Sequence, residues 1–312
     1  MHKGIPKEKH QRKLIISESK REALASLFSI QILCCIISEM SDYQNELQTW
    51  RETIETNLRK ENSWLALAGL FWLSEGRNTF GAGEENDLVF PDSGIPAQIG
   101  ALIVDGDDVR LETFCDTLVD VDGVPAKEAL LRPDVSGSPT RLKLGSLSFI
   151  LIQREDGFGI RLWDANNPKR ESFPGRHWYP IDERFRIQAR YERFAEKKTV
   201  SFERENGAAF DASMEGEVRF SLDGQEHALI AFEEPDGALF ILFRDTTNGS
   251  ETYGSGRYLV VAAPEDGKAV IDFNRAYNPP CAFTPYATCP LPPAQNNLPT
   301  SIPAGEKKVN LQ

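Results

Sequence analysis

The stretch GEVRFSLDGQEHALIAFEEPDGALFILFRD, residues 216–245, decides how the chain is read. It holds two overlapping hairpin signals, GEVRFSLDGQEHALIAFEE and ALIAFEEPDGALFILFRD. In each, an Asp-Gly pair supplies residues that tolerate positive φ between short apolar runs. Working outward, the runs KTVSFER before it and GRYLVVAAP and KAVIDFN after it continue the series. The series opens at WYPIDERFRIQARYERF, where Phe185, Ile187 and Ala189 alternate with Arg and Gln as in a half-buried strand. The expected architecture is an antiparallel β-meander that curls into a barrel or half-barrel over 178–312.

Toward the N-terminus the same grammar recurs. LVF before PDSG, ALIV before DGDD, VRLETF, TLVDV before DGV, LSFILIQ before REDG and FGIRLWD before ANNP are short strands with turn punctuation. They predict an antiparallel β-sandwich over 62–167, and NPKRESFPGRH at 167–177 reads as the linker to the meander. Ahead of the sandwich, Tyr43, Leu47, Trp50, Ile54 and Leu58 recur at three- to four-residue spacing. This marks one amphipathic helix within 41–61, capped by Ser41. WLALAGLFWL at 64–73, with Trp64, Phe71 and Trp72, reads as a buried segment that staples this helix to the sandwich rather than as a ligand groove.

A chain of 312 residues is long enough for two domains with a core each. Its formal net charge of −12 disfavours nucleic acid and anionic lipid as partners, since both are polyanions. The 5 cysteines do not form the dense, evenly spaced framework of a small secreted scaffold. Residues 1–40 form an apolar extension in which KEKHQRK and SKR precede SLFSIQILCCIIS at 26–38. That run, about thirteen residues, is too short to span a bilayer as a helix. It reads as part of an over-long start, as an export or anchor segment, or as a docked helix. Met40 and SDYQNELQTW suit a cytosolic N-terminus, so a cytoplasmic protein is expected unless the extension is a genuine signal.

Two family resemblances follow from longer motifs. FGAGEENDLVFPD, DGVPAKEALL and LKLGSLSFILI make the 62–165 block resemble a forkhead-associated domain, a β-sandwich that commonly binds phosphothreonine. Where that family has an arginine after the first glycine this chain has Ala82, and where it has serine then histidine the chain reads GIPAQIGA. The charge-assisted donors that a phosphate dianion needs are therefore missing, and only the sandwich is retained. Over roughly 41–308 the chain resembles the DUF1684 family of bacterial and archaeal proteins. WLALAGLFWLSEG with FGAG and ND matches at one end; TYGSGRYL, DFNRAYNPPCAFTPYATCPLPPAQNNLP and AGEK match at the other. That family is a domain of unknown function, so the resemblance implies no substrate and no cofactor.

Candidate chemistry gathers at the C-terminal end. In DFNRAYNPPCAFTPYATCPLPPAQN, residues 272–296, the prolines force extended or turn backbone around Cys281 and Cys289. The two sulfurs are placed to meet as a redox pair or to pack as small buried hydrophobes. A metal site lacks further ligands, because only His177 and His227 lie in the same domain. Tyr253 and Arg257 in TYGSGRY, Asp272, Asn274 and Tyr277 in DFNRAY, and Asp245 in RDTTNGS fall at neighbouring strand ends. Polar groups of these types converging under a rigid loop can form a small-ligand pocket. Arg257 would then meet an anionic group, Asp272 would orient the arginine, and Asn274 and the tyrosines would set direction. The competing reading is an Arg–Asp pair that simply locks the loop to the barrel.

Three function classes follow: a protein binding a small anionic or polar ligand, an enzyme acting on that ligand with His177 or Asp245 as acid or base, and a non-catalytic interaction module. No GxSxG elbow, HExxH or Gly-rich phosphate loop accompanies these residues, so no cofactor and no metal are implied.

Overall fold

The computed structural model describes residues 41–309 apart from 115, 156, 205 and 206. The apolar extension over 1–40, with Cys34 and Cys35, and Cys115 lie outside the described residues. The chain divides into two units, the first ending at Gln48 and the second running Thr49–Gln312. Helix α1, Asp42–Leu58, matches the expected amphipathic segment. Its start is a reciprocal cap: the Gln44 N–H donates to Ser41 Oγ at 3.2 Å and the Ser41 N–H donates to Gln44 Oε1 at 3.3 Å. Among the described residues no helix is long and apolar enough to cross a membrane.

After α1 the chain is mostly β. Strands β1 (Leu67–Trp72), β2 (Gly76–Gly81), β3 (Leu88–Val89), β4 (Gly100–Asp105), β5 (Asp108–Thr113) and β6 (Val119–Val121) come first. Then follow β7 (Val124–Ala126), β8 (Glu128–Leu130), β9 (Arg141–Leu144), β10 (Leu147–Arg154) and β11 (Gly157–Asp164). They form two sheets, ordered β1-β11-β10-β9-β6-β7 and β3-β2-β4-β5-β8. Phe80, Leu102 and Leu111 from the second meet Phe149, Leu151, Ile160 and Leu162 from the first in one apolar cluster, which is the sandwich core. One pairing departs from the antiparallel expectation: β3 runs parallel to β2, Phe80 opposite Leu88. The WLALAGLFWL segment supplies β1, and Leu65 beside it packs with Leu58 of α1 and with Phe173 and Phe283. The expected linker contains a one-turn helix α2, Lys169–Ser172, and Arg59, the residue after α1, donates to the carbonyls of Arg170 and Phe173 there.

The third sheet holds β12 (Arg186–Glu203), β13 (Ala209–Leu222), β14 (Gln225–Glu233), β15 (Leu239–Phe243), β16 (Arg257–Val261) and β17 (Lys268–Asp272). Its order, β16-β15-β14-β13-β12-β17, is a meander closed at one edge by β17, and the sheet curls into an antiparallel half-barrel. The first hairpin turns at Asp223 and Gly224, with φ of +52° and +77°, the backbone a two-residue loop between right-twisted strands requires. One face carries Val218, Phe220, Leu229, Ile241, Phe243, Leu259 and Ile271, and Leu298, Ile302 and Ala304 of the C-terminal tail pack among them. The tail is therefore part of the core.

The tail also repairs the sheet. β14 and β15 pair only through Phe232–Phe240 and Glu233–Leu239. Asn296, 1% exposed, fills the gap: its Oδ1 accepts from the Ile230 N–H at 2.8 Å and its Nδ2 donates to the Ile230 and Leu242 carbonyls at 2.9 and 2.7 Å. One side chain thus satisfies backbone groups that would otherwise be buried and unmatched.

Candidate functional site

At the start of β16, Arg257 is fully buried. Its Nη2 donates to Asp245 Oδ2 at 2.6 Å and to the Ile302 carbonyl at 2.9 Å, and its Nη1 donates to the Ala304 carbonyl. Asp245 Oδ1 accepts from the N–H groups of Thr247 and Ile302 at 2.8 and 3.2 Å. Burial draws the guanidinium below its ordinary pKa and the Asp245 carboxylate opposes that. An anion approaching this arginine would have to displace Asp245. The pair fastens the tail to β15 and β16.

The other expected residues lie around this node in separate roles. Asp272 and Asn274 form a turn at the end of β17, where Asp272 Oδ1 accepts from the Asn274 N–H at 3.1 Å. Asn274 clamps Asp182, accepting from its N–H at 3.0 Å and donating to its carbonyl at 2.8 Å. Asp272 thus faces Asn274 and, at 3.5 Å, Arg275. Tyr253 packs against the cluster of Leu65, Phe173 and Phe283. His177 is exposed, and its carbonyl accepts from the Lys307 N–H at 2.7 Å. Tyr277 bridges to Tyr258, each backbone N–H donating to the other's carbonyl, and burial pushes its phenol up to about 12.

A second polar centre lies next to this one, built from residues that no local sequence pattern joins. Glu306 of the AGEK motif is fully buried. Its Oε2 accepts from Arg176 Nη1 at 2.6 Å and from the Asn278 N–H at 2.8 Å. Arg176 lies over the Phe283 ring, 4.7 Å from its centroid, so one face of the guanidinium is covered by apolar surface. Asn278 Nδ2 donates to the Lys307 carbonyl at 2.8 Å, which fixes the amide. Among the described residues, Glu306 Oε1, Asn278 Oδ1 and Arg176 Nε are buried with no hydrogen-bond partner. Burial drives the Glu306 carboxyl up to about 7 against the pull of Arg176 and the Asn278 N–H. Nearby, the Tyr179 hydroxyl donates to Glu251 Oε2 at 3.0 Å, and burial and that carboxylate raise the phenol to about 12.

Position 305 is glycine for a reason that serves this centre. Its φ is +79°, and a Cβ there would come within 2.6 Å of the carbonyl oxygens of Ala276 and Phe273. The backbone can pass so close only without a side chain, and the pass delivers Glu306 to Asn278.

A family model for "Protein of unknown function (DUF1684)" matches residues 171–307, a span that begins just before Arg176 and ends just after Glu306. The chain belongs to the DUF1684 family. An uncharacterised protein of Haloarcula marismortui, solved by solution NMR, is 32% identical, with 45% of this chain and 79% of that one covered and a TM-score of 0.38. No curated protein matches. In this DUF1684 chain the matched span contains all of the third sheet, the Arg257–Asp245 node and the Arg176–Asn278–Glu306 centre. The motifs RHWY, NPPC and AGEK carry the three residues of that centre, so the signal was present in the sequence, distributed over three motifs.

Proposed function

We propose that this DUF1684 protein binds a small polar molecule at the Arg176–Asn278–Glu306 centre, with Glu306 exchanging a proton with it. One observation carries the reading: a fully buried carboxyl spends one oxygen on two donors and keeps the other without a protein partner, and the two residues that hold it, Arg176 and Asn278, each keep a buried side-chain atom unmatched as well. Leaving such groups unmatched costs about 1–3 kcal/mol each, more for charged ones, and sites that bind ligands are where such cost is tolerated. Two acceptors and one donor complement a ligand that offers both, such as an amide, an amino acid or a hydroxy acid. A carboxyl that titrates near neutral pH is suited to acid–base exchange. The role that the sequence suggested for His177 or Asp245 thus passes to Glu306, and Arg257 with Asp245 holds the tail that carries it.

The test is thermal shift against amides, amino acids and hydroxy acids at pH 6 and pH 8. The reading expects a stabilising compound whose effect depends on pH across this range and disappears in Glu306→Gln and in Asn278→Ala. A compound that stabilises both variants as well as the parent, or no stabilising compound in these classes, removes it.

A further inference from the structure

Cys281 and Cys289 belong to a different cluster, on the face of the third sheet opposite to its core, with Leu242, Tyr258 and the partly buried Phe240 and Tyr277. Cys289 is 5% exposed and held from both sides along the chain. Arg204 Nη1 donates to the Thr288 carbonyl at 3.1 Å, the Tyr258 hydroxyl donates to the Pro290 carbonyl at 3.1 Å, and the Leu291 N–H donates to the Glu203 carbonyl at 2.7 Å. Pro290 also restricts Cys289 to extended backbone. Cys281 is half-buried in the middle of a short turn, Pro280–Ala282, entered from Pro279.

The decisive contact joins them: the Cys281 N–H donates to Cys289 Sγ at 3.2 Å. A residue's own sulfur is three bonds from its backbone nitrogen, so rotation about the Cα–Cβ bond of Cys281 sweeps its sulfur past that of Cys289. The buried Arg161 guanidinium also lies close enough to Cys289 for charges on the two to interact. No group of three His, Cys, Asp or Glu suited to a metal occurs among the described residues. Sulfur–sulfur chemistry is what this pair can do.

We infer that Cys281 and Cys289 are a reactive dithiol, which a small disulfide converts to an intrachain disulfide that staples residues 281–289. The half-buried Cys281 thiolate attacks the small disulfide, forming a mixed disulfide and releasing one small thiolate. Cys289 then attacks the Cys281 sulfur, forming the intrachain bond and releasing the second. The two protons of the protein thiols end on the two released small thiols; the protein gives up two electrons, and the small disulfide takes them. The staple closes a loop in which Tyr286 packs against Ile150, Ile152 and Trp163 of the sandwich, so oxidation fastens that contact.

The full chain is equilibrated in reduced and oxidised glutathione, acid-quenched, alkylated and digested without reductant. The expected product is a peptide linking Cys281 to Cys289, lighter by about 2 Da than the two thiol peptides together and absent after dithiothreitol. In Cys289→Ser the same treatment should stop at Cys281 joined to glutathione. The inference fails if both residues are fully alkylated in the oxidised buffer, or if oxidation joins only Cys34, Cys35 or Cys115. Mapping the unmodified chain decides this even where Cys289→Ser does not fold, and it is independent of ligand binding at Glu306.

Discussion

Replacing Arg257 with methionine keeps most of the side-chain volume and removes the charge from the node between β15, β16 and the tail. Three acceptors lose their donor: Asp245 Oδ2, at 2.6 Å, and the carbonyls of Ile302 and Ala304. Both side chains of the pair are 0% exposed, so water cannot take the arginine's place. Removing one partner of such a pair costs about 3–5 kcal/mol, because a buried carboxylate is left uncompensated. The stranded carbonyls add about 1 kcal/mol each and the apolar methionine returns part of the loss, which leaves a net cost of about 4 kcal/mol. With a urea slope of about 3 kcal/mol/M, the unfolding midpoint should fall by roughly 1.3 M. Tryptophan fluorescence during urea unfolding reads it. Asp245→Leu added to Arg257→Met should recover part of the loss, since both charges are then gone. A loss under about 1 kcal/mol in Arg257→Met, or a double variant as unstable as the sum of the singles, would refute the node as the fastening of the tail.

Asn296→Ala should cost about 2–4 kcal/mol in the same unfolding assay, because three hydrogen bonds bridging β14 and β15 vanish and leave backbone groups buried. Gly305→Ala should cost about 2–4 kcal/mol through a left-handed backbone and a Cβ pressed on two carbonyl oxygens, read as a lowered melting temperature. The Glu306 carboxyl titrates near 7 in the folded chain against an ordinary value of 4.5, so the native state binds the extra proton and stability declines as pH rises from about 4.5 through 7. The full span is on the order of 3 kcal/mol, and urea midpoints taken from pH 5 to pH 8 should show a decline that is flattened in Glu306→Gln.

Strands were legible wherever their information was local. The Asp-Gly pair at 223–224 announces its hairpin because positive φ is a property of those two residues. The alternation of Ile187 and Ala189 announces β12 because its period is two. The capping box at Ser41 and Gln44 is likewise four residues of sequence. The parallel β2–β3 pair was not legible, since a two-residue strand carries no pattern of its own. Nor was the burial of the tail, where Leu298, Ile302 and Ala304 have no periodicity to show that they enter the half-barrel. The site was half visible for the same reason. Arg257, at the start of β16, and Asp245, two residues beyond β15, stand 12 residues apart, and the sequence placed both at neighbouring strand ends but expected Asp272 to orient the arginine. Arg176 and Glu306 are 130 positions apart, and nothing local in RHWY or AGEK joins them. Only the glycine at 305 hinted that the backbone there passes something closely.

Proton exchange at the Arg176–Asn278–Glu306 centre depends on the protonation of one buried side chain, Glu306. Carboxyl carbon-13 chemical shifts of glutamate-labelled protein, followed from pH 4 to pH 9, report it directly. The expected result is one glutamate resonance with its midpoint near 7 that is missing from Glu306→Gln. If every glutamate in the folded protein titrates below pH 5, Glu306 is an ordinary ion-pair partner of Arg176, and the proton-exchange reading is contradicted.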